Sequence, residues 1–336
     1  MQMAGTNQNF NGYPELAAIG RDAALEVRIG LRGRAPSDQE WCALVEVLRR
    51  AAEFLAVSPV LPKRPDFVLA DPLEKRQRAE LDASYVPRYS AAFEQDELPR
   101  ERMEIHECRE KMVPLESGAK ERGLKFQLSS RPFAASCGEW AGRGRIFWTR
   151  AAVAELFYRA IGAFNTVGLM PLIEDGFRPY DVQAGLFRRR VAAVREENPQ
   201  LSEVEVLREA RAKTACAPYR AAHMGGAAVD FTLRKLDGEP LDLGNPYPTG
   251  GASTVLTFPY VTWEQYCTRQ MFSCISQMAG LFPYPGEDWH VSFGDGLWAI
   301  PQKTTSYRYG AIKDFSRVDG SVEPFDPEGL RRHFEY

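Results

Sequence analysis

The chain is poor in the features that most quickly assign a function. Among 336 residues there are four histidines, His106, His223, His290 and His333, so imidazole chemistry has few places to sit. No apolar run reaches the roughly 18 residues that a membrane-spanning helix needs. The first 20 residues hold no basic segment followed by an apolar core, so no secretory signal is expected. Six cysteines are scattered without a Cys-x-x-Cys pair, which reads as reduced thiols and a cytoplasmic location. There is no basic surplus either: 42 Lys and Arg stand against 45 Asp and Glu, a net charge of −3. A protein that neutralises many phosphates would carry the opposite balance, so nucleic acid is not an expected partner. Gly-x-Ser-x-Gly is absent, and Gly142-Arg143-Gly144 has neither a third glycine nor a phosphate-loop lysine. His106-Glu107-Cys108-Arg109-Glu110 lacks the second histidine of a zinc helix and reads as an exposed helix face.

What is present is an ordinary globular composition, 44% hydrophobic and 26% charged, in a chain about two domains long. Ser37 and Glu40 form a capping box for a helix reaching about Ala56, with Leu44, Leu48 and Leu55 inward. Residues 71–123 are highly charged and expected to be mostly helical, interrupted at Pro87 and Pro99. The character changes near Phe126. Thr149 can cap a helix whose Val153, Leu156, Phe157, Ala160, Ile161 and Phe164 form one apolar stripe ending at Gly168. A short strand is expected at Leu172-Ile173-Glu174, and a helix over about 181–197. Ser202 and Glu205 open a further helix that ends near Thr214.

Ala227 to Leu233 alternates cleanly, with Val229, Phe231 and Leu233 on one face and Asp230 on the other. A Gly- and Pro-rich loop covers 237–261. Thr262 and Gln265 then cap a helix closed by Gly280, with Cys267, Met271, Cys274, Ile275 and Met278 predicted as its buried stripe. His290-Val291-Ser292-Phe293 alternates again. The predicted class is α+β, a small central antiparallel sheet flanked by helices. Residues 1–125 form a mainly helical N-terminal extension of unassigned role, and 126–336 the domain that carries the chemistry.

Three groups suggest a metal. His223 precedes a Gly-Gly turn, Asp230 lies on the polar face of the next strand, and Glu287 and His290 form Glu-x-x-His at another strand's start. Two imidazoles and one carboxylate are a sufficient shell for catalytic zinc, with a fourth position open to water. Such a metal lowers the water's pKa toward ~7, and a nearby unbound carboxylate can carry the proton. Each signal alone also fits a bland structural residue; their joint order is what points to a site.

These stretches resemble the VanX-type D-Ala-D-Ala dipeptidases, zinc peptidases of the M15 group with a hedgehog-like fold. The resemblance is carried by three motifs in family order, between about Phe126 and Asp295: Asp175-Gly176-Phe177-Arg178-Pro179, His223-Met224-Gly225-Gly226-Ala227-Ala228-Val229-Asp230-Phe231-Thr232-Leu233, and Glu287-Asp288-Trp289-His290. It implies one zinc ion per chain held by His223, Asp230 and His290. It further implies Glu287 as general base and acid for attack by zinc-bound hydroxide, and Arg178 as the oxyanion donor. Asp175 would orient Arg178 or contact substrate. Where the family places a substrate-holding Ser, this chain has Ala221. Where it has an Asp for the substrate's ammonium, counting reaches about Pro248. A free dipeptide is therefore not the expected substrate; a small peptide or amide is. Two alternatives stay open, a metal enzyme acting on another small-molecule amide and a non-catalytic zinc-containing binding module. Oligomeric state is not readable.

Overall fold

The computed structural model describes residues 103–214, 221–248, 252–256, 258 and 261–326. The capping box at Ser37 and its helix lie outside the described residues. The centre is a five-stranded sheet of order β3 (Gln127–Leu128), β5 (Leu169–Asp175), β6 (Ala228–Lys235), β8 (His290–Ser292) and β7 (Phe282–Pro283). Only the β3–β5 pair is parallel. The α+β class is as the sequence led us to expect.

Alternation along β6 decides which way the sheet faces. Val229, Phe231 and Leu233 are fully buried in a core shared with α2 (Ala151–Thr166) and α5 (Trp263–Ala279). Phe231 is the hub of that core, with ring centroids 5.3 Å from Phe157, 5.7 Å from Phe164 and 4.8 Å from Phe272. Offset and edge-on aromatic contacts at these spacings add to simple area burial. The predicted α2 stripe is buried at all six positions. Both capping boxes form: Ser202 with Glu205 opens α4 (Glu203–Lys213), and Thr262 with Gln265 opens α5. Among the described residues no helix is long and apolar enough to cross a membrane.

Several local expectations are corrected. Thr149 does not cap α2; it is buried in β4 (Trp148–Arg150), paired with Val113 of β2 (Met112–Pro114), and Arg150 occupies the cap position. β5 is longer than the predicted three residues, because Leu169 to Asp175 pairs along most of its length with β6. The buried face of α5 centres on Thr268, Arg269, Phe272, Ile275, Ser276 and Ala279, while Cys267, Met271 and Cys274 are only half-buried. A buried arginine rotates that face, for a reason the site makes plain. His106 lies in exposed extended chain after β1 (Glu104–Ile105), not on a helix.

The expected division near residue 126 falls inside one continuous core. β1 pairs with β9 (Ser306–Tyr307), β2 with β4, and Leu115 and Ala119 of α1 (Leu115–Glu121) join the α2 core. The helices thought to run through this part of the chain give way, from residue 103, to two short strands and one short helix.

α3 (Tyr180–Glu197) lies across the 3-10 turn Ala135–Trp140 at closest range through Gly185. A Cβ at Gly185 would run into the Ser136 carbonyl oxygen, with Cys137 Cα at 3.1 Å, and both are backbone atoms that cannot swing aside. Helix propensity alone would make Gly185→Ala stabilising by about 1 kcal/mol. Overpacking against backbone reverses the sign, and we predict a net loss of ~1–3 kcal/mol. Chemical denaturation of the variant tests this; an unchanged or higher midpoint would count against the close approach.

Candidate metal centre

The strand register creates the site. β6 and β8 are antiparallel neighbours in which Asp230 stands directly opposite His290. Their side chains leave the sheet on the same face and meet, His290 Nδ1 lying 2.9 Å from Asp230 Oδ1. His223 arrives from the 3-10 turn Ala222–Gly225 just before β6. That turn reverses at Gly226, whose φ of +66° is left-handed and where a Cβ would strike Met112 Sδ. The turn is braced from below by Arg150, which is fully buried. Its Nε donates to Gly225 O at 2.8 Å, its Nη1 to Glu110 O at 2.7 Å, and its Nη2 to Glu107 at 3.0 Å.

His223 Nδ1 lies 2.7 Å from Gly176 O, an atom that can only accept, so Nδ1 carries the proton. Burial and then the charge of Arg178 hold this imidazole below its ordinary pKa, so it is neutral. Its Nε2 lone pair therefore points into the cluster, 3.1 Å from Asp230 Oδ1 and 3.2 Å from His290 Nδ1. Burial alone would raise Asp230, but His223 and Arg178 draw it well below the usual carboxylate range, and it is ionised. His290 Nδ1 lies close to both His223 Nε2 and Asp230 Oδ1, so two imidazole nitrogens and a carboxylate oxygen are gathered around one point. The three donor atoms fall within 4.8 Å of one another, a spacing that one ion can bridge. Two imidazole nitrogens and one carboxylate oxygen, with the second nitrogen of His223 fixed by a carbonyl, fit a zinc ion.

The carboxylates and guanidinium groups around this cluster form a chain. Arg178 Nη2 donates to Asp230 Oδ2 at 2.6 Å and its Nε to Asp175 Oδ2 at 2.8 Å. Asp175, fully buried, also receives Arg145 Nη1 at 2.5 Å. Asp175 pairs with Arg178, in keeping with the orienting role that the resemblance implied for it, and Arg178 additionally holds the inner carboxylate. That leaves the Nη1 end of Arg178 with no partner among the described residues. Glu287 lies on the rim, its carboxylate 3.8 Å from His290 Nδ1 and its side chain 33% exposed. Burial lifts Glu287 above the ordinary carboxylate range, His290 opposes this, and the charge of Asp230 reinforces it. A base so placed is close to the cluster without belonging to it.

Three contributors were not anticipated from the sequence. Tyr247 is buried with its hydroxyl 3.3 Å from Asp230 Oδ2, one residue before the position reached by counting. Arg145 was anonymous in a glycine-rich stretch. Arg269, nearly fully buried in α5, donates to Leu243 O, Val255 O and Ser253 O at 2.7, 2.7 and 2.6 Å, and pairs with Asp288 at 3.0 Å. It thereby ties the loop beside the cluster to the segment that presents Glu287. The only signal that could have found Arg269 is an arginine on the apolar side of a helix.

Residues 141–308, half of the chain, match the M15 peptidase family model described as D-Ala-D-Ala dipeptidase. A D-alanyl-D-alanine dipeptidase of Synechocystis sp. is 32% identical over 109 residues, covering 29% of this chain and 44% of that protein. The match thus spans less than half of the relative's length. The family model covers Arg178, the zinc-fitting triad, Glu287 and four of the five strands of the central sheet, and the chain belongs to the M15 family of D-Ala-D-Ala dipeptidases.

Proposed function

We propose that this chain is a zinc-dependent hydrolase that cleaves a peptide or amide bond in a small substrate. The observation that carries this reading is the convergence of His223, Asp230 and His290 on one point, with the Nε2 lone pair of His223 turned inward. Zinc held there would supply a Lewis acid for the carbonyl and acidify a water toward neutral pH. The chain's own groups supply the rest. Glu287, partly exposed and raised in pKa, takes a proton from the attacking water and returns it to the departing amine nitrogen. Arg178 is held by Asp175 and Asp230 through Nε and Nη2, so its Nη1 edge is oriented before substrate arrives. It donates to the carbonyl oxygen as negative charge develops, the moment at which a fixed donor contributes most.

Neither Glu287 nor the free edge of Arg178 would be needed by a zinc that only stabilises the fold. This favours catalysis over a binding module. A tailoring reaction on a different amide would use the same groups and is separated by substrate profiling.

Three expectations test the reading. Purified protein should hold one zinc per chain, and His223→Ala or His290→Ala should lower zinc affinity sharply; full occupancy in both variants by metal analysis would count against the site. Glu287→Gln should keep the zinc and lose about 10²–10⁴ in kcat. Retention of full activity in that variant would remove Glu287 from the mechanism. Arg178→Lys cannot hold both carboxylates and offer a third edge, and should lose ~10²–10³ in kcat/KM toward small peptides.

A further inference from the structure

A peptide substrate brings charge of its own, and the carboxylates nearest Tyr247 already have partners. Asp230 and Asp175 are committed to the triad, Arg178 and Arg145. In the neighbouring loop, Asp242 is committed too: Oδ1 accepts from Gly244 N at 2.7 Å and Oδ2 from Gln265 Nε2 at 2.8 Å. Among the described residues, these three carboxylates near Tyr247 are all engaged.

Arg131 stands here instead. Its Nη1 donates to Tyr247 O at 2.6 Å, and the guanidinium carbon lies 5.5 Å from the Tyr247 ring centroid. The opposite end of that tyrosine reaches the metal ligand Asp230. The Arg131 backbone is fixed as well, its carbonyl accepting from Arg145 Nε at 3.2 Å. The Nε–Nη2 edge of Arg131 has no partner among the described residues, and no carboxylate there pairs with it. An arginine anchored at one corner and stacked on an aromatic ring presents the other edge as a preformed fork for a carboxylate.

We propose that Arg131 is a specificity-determining residue that binds a carboxylate of the substrate, on the Tyr247 side of the cleavage site. This rests on the hydrolase reading above. The carboxylate has two possible sources, the C-terminus of a peptide or an acidic acyl group on its amine side.

The test uses zinc-loaded full-length protein and matched pairs. N-acetyl-D-Ala-D-Ala is compared with its C-terminal carboxamide, and N-succinyl-D-Ala-D-Ala carboxamide with N-acetyl-D-Ala-D-Ala carboxamide. One pair should show a preference of about 10- to 100-fold in kcat/KM for the carboxylate member, the factor expected of a charge-assisted hydrogen bond. The pair that shows it identifies the source. Arg131→Gln should erase that preference and leave the neutral member's rate within about twofold, whereas Arg131→Lys should keep part of it. Equal loss on both members, or no preference in the unsubstituted protein, overturns the proposal. If nothing is hydrolysed, the hydrolase reading fails. Calorimetric binding of the same pairs to the unsubstituted and Arg131→Gln proteins then decides the Arg131 assignment by itself.

Discussion

Everything at the proposed site turns on one buried carboxylate. Asp230 gives Oδ1 to His223 and His290 and Oδ2 to Arg178 and Tyr247. An isolated carboxylate at 1% exposure would be costly to ionise. Here it is surrounded by groups that favour its charge, and each of those groups is oriented by its bond to it. Removing Asp230 would leave a buried guanidinium end and two imidazoles without a common partner. The metal-fitting cluster, the presentation of Arg178 and the placement of Tyr247 are therefore a single electrostatic arrangement, not three adjacent ones.

Around that carboxylate two buried arginines divide the work of support. Arg150 ties the His223 turn to the strand-like segment before residue 114 through Gly225, Glu110 and Glu107. Glu107 in turn accepts from Gly310 N at 2.7 Å, and Glu110 from the Tyr309 hydroxyl at 2.7 Å, so the C-terminal part is drawn to the same brace. On the other side Arg269 fastens the loop from Leu243 to Val255 against Asp288. Burial pushes Asp288 up to about 7 despite Arg269 beside it. Each arginine spends most of its donors on backbone carbonyls, which fixes loop backbone that has no ladder of its own.

Local patterns in the sequence carried a good part of the fold. The 3.6-residue stripe of α2, the period-two alternation of β6 and the two capping boxes were readable because each depends on residues within a few positions of one another. Thr149 misled for the same reason: its local context suits a cap, but pairing with Val113 draws it into a strand. The α5 stripe misled because Arg269 looks like a surface residue until three distant carbonyls are seen to receive it.

The sequence by itself determined the α+β class, the composition of the metal-fitting set and the Asp175–Arg178 pair, since residue type, spacing and motif order encode these. Tertiary structure decided what the histidines face. The protonated nitrogen of His223 is chosen by Gly176 O, 47 positions away, and the opposition of Asp230 and His290 by strand register. It also decided what surrounds Tyr247. Arg131 and Tyr247 are 116 positions apart, and only folding stacks one on the other. The histidines, so few in number, could be named from a list; the charge they and their neighbours present to a substrate is a property of three dimensions.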